Sequence, residues 1–136
     1  MASSIRGKVE SAIAQLLMAA GVSPVYQGFA GTDKAGTCVI AKARRAEEEP
    51  YESGNYKVTV DIFVKGPPDT DGTFDTLADT VRDALWQSDL AAQLQSHETT
   101  FTVWGATAPH VMEWTEDGDL WIETQIIELY CAALTP

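Results

Sequence analysis

No lysine or arginine follows Arg82. Residues 83–136 hold nine acids and no base, a net of −9, while residues 1–82 set all nine bases against eleven acids, a net of −2. Gripping DNA or RNA requires phosphates neutralised by Lys and Arg, so this balance excludes tight nucleic-acid binding. It does not exclude a surface that DNA slides past, for which an acidic wall is suited. Cysteine is also scarce. Cys38 and Cys131 each sit in an apolar, strand-like run with no zinc or redox spacing, and are expected to be buried reduced thiols rather than a disulfide. The two histidines offer little: His97 lies in a polar Ser-His-Glu turn and His110 opens a strand. A Cys38–His110–Asp triad can be drawn, but no nucleophile motif or glycine-rich oxyanion turn surrounds Cys38. Phosphate-cradling and dinucleotide-binding glycine motifs are missing. The chain is therefore not expected to be an enzyme or to use a cofactor. No apolar run reaches the ~18–20 residues of a membrane helix. Lys8, Glu10, Ser11 and Gln15 interrupt the apolar stretch a signal peptide would need, so assembly in a cytoplasm is expected.

What is present is globular. With 136 residues and 45% hydrophobic content, the chain suits one α+β domain spanning residues 1–136. Ser3 or Ser4 can cap a first helix in which Ile5, Val9, Ala12, Ile13, Leu16 and Ala20 recur at helical spacing, with Gly21 as its stop. A short segment over residues 25–30 and a strand over 37–43 follow. Residues 44–55, RRAEEEPYESGN, read as a loop or long hairpin tip. In NYKVTVDIFVKG, Tyr56, Val58, Val60, Ile62 and Val64 alternate with Lys57, Thr59, Asp61 and Lys65, the pattern of a half-buried strand. A second helix starts near Thr73 with Phe74, Leu77, Ala78, Val81 and Leu85 on one face, and DLAAQLQS continues or restarts it. FTVWG is a strand, and Asp117-Gly118 marks a tight turn between two more. The order is α-β-β-β-α-β-β-β: a mainly antiparallel sheet with two principal helices packed on one side.

One stretch invites a metal. GPPDTDGTFDTLADTV places Asp69, Asp71, Gly72 and Asp75 within seven residues. A calcium loop needs glycine at its sixth position and a bidentate carboxylate at its twelfth. Counted from Asp69, glycine falls fourth and the twelfth residue is Thr80, so the pattern fails. Helix-start chemistry accounts for the residues better. Pro67 and Pro68 end a strand, Asp71, Gly72 or Thr73 caps, and Asp75 meets the positive end of the helix dipole. Weak opportunistic cation binding is the alternative.

Surface asymmetry points elsewhere. Asp75, Asp79 and Asp83 stack at i, i+4 spacing with only Arg82 nearby, and Trp86 projects from the same side. This is either a partner surface or a solvated face with a partly covered tryptophan. Lys42, Arg44 and Arg45 form the one basic cluster, and a basic patch and an acidic stripe on one subunit suit head-to-tail contact between copies. The polar stretch behind the basic cluster, with Glu47, Glu48, Glu49 and Tyr51, is a candidate docking loop. Trp104, Trp114 and Trp121 fall in strands and are expected in the core rather than at an interface.

The order of these segments carries a resemblance. An amphipathic N-terminal helix leads to strands with a long polar loop. YKVTVDIFV then leads directly to FDTLADTVRDAL, followed by FTVWG and the hairpin WTEDGDLWIETQIIELY. This resembles the tail-terminator (tail-completion) proteins of long-tailed bacteriophages, similar to the lambda-type minor tail protein U. The resemblance covers nearly the whole chain and rests on texture and order, since the family has no catalytic signature. It implies a small subunit of a virion, built in the host bacterial cytoplasm, that forms a homo-oligomeric, hexameric ring at the head-proximal end of the tail tube. Such a ring stops tube polymerisation, contacts the tail-tube protein and the neck or connector protein, and lets DNA through its lumen without sequence readout. The alternatives are a neck or head-completion connector, or a small ligand-binding or regulatory α+β domain.

Overall fold

The helical spacing near the N-terminus becomes α1, Ile5–Ala19, in the computed structural model. The structure describes residues 5–28, 37–48, 55–67, 72–87, 89–97, 101–107, 110–117 and 120–133, without the side chains of Arg45, Thr73, Phe101, residues 110–117, Leu120 and Ala133. Val9, Ala12, Ile13, Leu16 and Leu17 are buried, each large apolar side chain contributing about 1.5–3 kcal/mol. Ala20, expected on the same face, is exposed because the helix has already ended. Gly21 adopts φ +92°, and the Val22 N–H reaches the Leu17 carbonyl at 3.0 Å while the Gly21 N–H reaches Met18. That double bond satisfies carbonyls left open at a helix end and requires a residue that tolerates left-handed backbone. Ser3 and Ser4 lie outside the described residues.

Five further elements complete the first two-thirds of the chain: β1 (Val25–Gln27), β2 (Cys38–Glu48), β3 (Asn55–Gly66), α2 (Thr73–Leu85) and α3 (Leu90–His97). Then come β4 (Phe101–Ala106), β5 (His110–Asp117) and β6 (Leu120–Ala133). The sheet runs β1-β2-β3-β6, and the far edge of the long β6 is shared. β5 pairs with it from Leu120 to Ile126, and β4 from Leu129 to Ala133. Only β1 is parallel to its neighbour, so the sheet is mixed but mainly antiparallel. Asp117 pairs with Leu120, which makes the tight β5–β6 turn read from Asp-Gly.

The alternation of β3 holds: Val58, Val60, Ile62 and Val64 are fully buried on one face. They join Val39, Ala41, Ala43, Ile127, Leu129 and Cys131 from neighbouring strands in a single core with the buried faces of all three helices. The helices therefore cover one side of the sheet. DLAAQLQS restarts rather than continues the second helix. Trp86 ends α2 with non-helical backbone, and α3 packs Leu90 and Leu94 into the core. α2 opens on Gly72, one of the three expected candidates, in left-handed backbone and with no side-chain cap, while Asp69 and Asp71 lie outside the described residues.

Two sequence expectations are corrected. Residues 44–48 are strand, not loop: beyond a bulge at Arg44, β2 pairs Arg45 with Thr59, Ala46 with Val58, Glu47 with Lys57 and Glu48 with Tyr56. Opposite charges and an aromatic across the ladder hold a segment whose composition mimics a loop. Glu49 and Tyr51 fall in residues 49–54, outside the described residues. Trp104 is not core but 52% exposed, because it is the extra residue of a bulge between Val103 and Gly105 on edge strand β4. Trp121 meets the expectation, packing edge-on against Phe74 with centroids 5.7 Å apart.

Candidate assembly surfaces

The basic cluster is built where β2 loses its neighbour. β1 pairs only with Val39, Ile40 and Ala41, so the backbone of Ala43 emerges beyond its reach. Glu10, one turn beyond Arg6 on α1, accepts the Ala43 N–H at 2.7 Å and closes that edge. The fit is tight: a Cβ on Gly28, which sits at φ +56°, would come within 3.0 Å of the Glu10 carboxylate. Burial pushes the Glu10 carboxyl above its ordinary value of 4.5, against the Ala43 N–H and the charges of Arg6 and Lys42. Around this bond Arg6, Glu10, Gln27, Gly28, Lys42 and Arg44 line an open hollow of about 310 Å³. Arg44 is half exposed at the β2 bulge and pairs through Nε with Asp61 at 3.3 Å. Burial also raises the Asp61 carboxyl, opposed by Arg44 and then Lys42. Arg6, Lys42 and Arg44 thus gather near two partly buried carboxylates, Glu10 and Asp61, on a chain of net charge −11. The bulge separates Arg44 from Arg45, whose backbone pairs with Thr59.

The acidic stripe stands on the other part of the helical layer. Asp75, Asp79 and Asp83 are exposed along α2, and Trp86 at its end is 61% exposed. Arg82 does not neutralise the stripe. It donates to Asp79 at 3.1 Å but turns its other nitrogen inward to Glu123 on β6 at 3.3 Å. Glu123 in turn accepts from Gln125 Nε2 at 2.7 Å, and Gln125 also donates to the Ala78 carbonyl at 3.1 Å. A chain of polar contacts therefore ties α2 to the sheet beneath it.

The expected site residues separate into two groups. The structure places Lys42 and Arg44 together at the α1–β2 edge, and Asp75, Asp79, Asp83 and Trp86 together on α2. Glu47 and Glu48 lie on the far end of β2, paired across from Lys57 and Tyr56 rather than beside the hollow. Sequence reasoning missed Arg6 and Glu10. Their i, i+4 spacing shows a polar side of α1, but nothing local says that this side faces a strand edge. It also missed exposed Trp104 and Met18, the latter 49% exposed near the end of α1. Among the described residues no group of three or more His, Cys, Asp or Glu is placed to hold a metal ion, and no helix is long and apolar enough to cross a membrane.

Neither the known protein families nor the curated proteins contain a match to this chain. Among solved structures it is similar to a chain described as "Virion of native gene transfer agent (GTA) particle". The two share 17% identity and a TM-score of 0.64, with 97% of this chain and 100% of that chain covered. At that identity the likeness is one of fold.

Proposed function

We propose that this chain is a structural protein of a phage-like virion, and within that class a tail terminator. Identical copies form a ring on the head-proximal end of the tail tube, halt tube growth and offer the neck a joining surface. The observation that carries the reading is the end-to-end fold likeness to a chain of a gene transfer agent virion. The order of elements supports it, since it resembles that of tail-completion proteins. The charge distribution fits as well: a bore lined from the base-free stretch 83–136 repels DNA phosphates and lets the duplex pass without being held. The mechanism is geometric and not enzymatic. One ring face matches the last tube ring, and the other presents no further tube-like docking site.

Light scattering on the sized protein, with negative-stain microscopy, tests this reading. The expected result is a mass several times 14.7 kDa with annular particles, and tubes of tail-tube subunits that stop growing when the protein is added. A strict monomer at high concentration, with and without tail-tube protein, together with unaltered tube growth overturns it.

A further inference from the structure

The hollow at the α1–β2 edge and the end of α2 are opposite in almost every respect. The hollow is concave and is lined by Arg6, Lys42 and Arg44 together with Glu10. The α2 end offers an indole 61% exposed at Trp86 and the exposed carboxylates of Asp83 and Asp79 one and two turns back. A flat aromatic beside carboxylates suits a hollow lined by arginine and lysine in two ways: the ring lies against a guanidinium, and the carboxylates add to the ion pairs of the cationic side chains. Tryptophan and arginine are also the residues that dominate binding energy at protein interfaces.

We propose that the hollow formed by Arg6, Lys42 and Arg44 is the receptor for the α2 end of a second copy, with Trp86 seated in it and Asp79 and Asp83 against its cations. The contact is heterologous, since the two surfaces belong to different elements, so each subunit keeps one donor end and one empty hollow after pairing. Repetition then closes a ring or extends a filament. This assigns the subunit contact within the ring reading above and rests on it. It also gives Arg6 a role that the sequence did not suggest, and makes Trp86 an anchor rather than a stray exposed aromatic.

The test uses two exposed single variants. Arg6→Glu spoils the hollow and leaves the α2 end intact; Trp86→Ala spoils the α2 end and leaves the hollow intact. Each variant alone should remain near 14.7 kDa at concentrations where the wild type assembles, a loss of at least tenfold in association. Mixed one to one, they retain a single good contact per pair, and should stop at heterodimers of twice the subunit mass. Circular dichroism and melting of each variant verify that both are folded. If both variants assemble like the wild type, this contact is overturned while the ring reading stands. If each stays monomeric and the mixture does too, the residues matter but do not meet, and the pairing is overturned. If the wild type itself remains monomeric with and without tail-tube protein, the contact and the ring reading fall together.

Discussion

The two long helices lie on the same face of one sheet but are held by different physics. α1 presses Val9, Ala12, Ile13, Leu16 and Leu17 into a core whose strand side is Val39, Ala41, Val58, Val60 and Ile62. That contact is apolar at its centre, and the polar link from Glu10 to Ala43 is at the rim. α2 also buries Phe74, Ala78, Val81 and Leu85, yet the strand near it presents Glu123 and Gln125 inward. Its attachment is therefore half hydrophobic and half a relay from Asp79 through Arg82 and Glu123 to Gln125. The relay is incompletely satisfied: Arg82 Nε and Gln125 Oε1 are buried without a partner. Apolar packing is indifferent to direction and scales with area, whereas a polar relay fixes orientation and is penalised for each unmade bond. α1 thus supplies stability, and α2 is held in a defined pose for the surface it carries.

The strongest way to break this contrast is to hollow out the α1 side. Ile13 is fully buried, so Ile13→Ala should cost about 2–5 kcal/mol, read as a lower midpoint in urea unfolding. A smaller loss than that from cutting the α2 relay would invert the assignment of the two helices.

Much of this arrangement could be read from residues alone, where a period was unbroken. The faces of α1 and α2 and the alternation of β3 each rest on one repeating pattern that a buried surface enforces. Where two patterns overlapped, the reading failed. In QIIELY, adjacent Ile126 and Ile127 hide which side faces the helices, so the inward aim of Gln125 and Glu123 was not visible. Arg45, Glu47 and Glu48 look like loop residues because what makes them strand is their pairing with Thr59, Lys57 and Tyr56 on the next strand, not their own composition. The exposure of Trp104 depends on a single-residue bulge, which no local composition announces. The basic and acidic clusters were legible as clusters, but the hollow was not. It needs Glu10 to reach a strand edge 33 residues away, a fact of topology.

A finer cut separates the two members of the α2 relay. Glu123→Leu leaves the inward arm of Arg82 facing an apolar side chain and should cost about 1–3 kcal/mol, because a part-buried charged donor loses its acceptor. Gln125→Leu should cost less, within about 1 kcal/mol: it removes the orphaned Oε1 along with the amide, and Glu123 keeps Arg82. Urea midpoints of the two variants check the order. Equal losses would show that the relay acts only as packing.

The smallest effect lies at the rim of α1, and pH reveals it. The folded-state pKa of Glu10 is raised above its ordinary value of 4.5 by burial. A raised pKa means that the folded state holds the proton more tightly than the unfolded chain does. The associated stability is present in full below 4.5 and is lost as pH rises through the folded value. Glu10→Gln keeps an oxygen acceptor for the Ala43 N–H and removes the titration. Its melting temperature relative to wild type should therefore increase as pH is raised from 4.5 to 7, and the gap should be smallest at the acid end. Glu10→Ala takes the acceptor away as well, and should cost about 1 kcal/mol across that range, since the hollow is open and water replaces part of the lost bond. A parallel shift of wild type and Glu10→Gln with pH would mean that the carboxylate is already solvated. In that case burial would not be what holds the proton on Glu10, and its bond to the Ala43 N–H would be made in water at the open rim of the hollow.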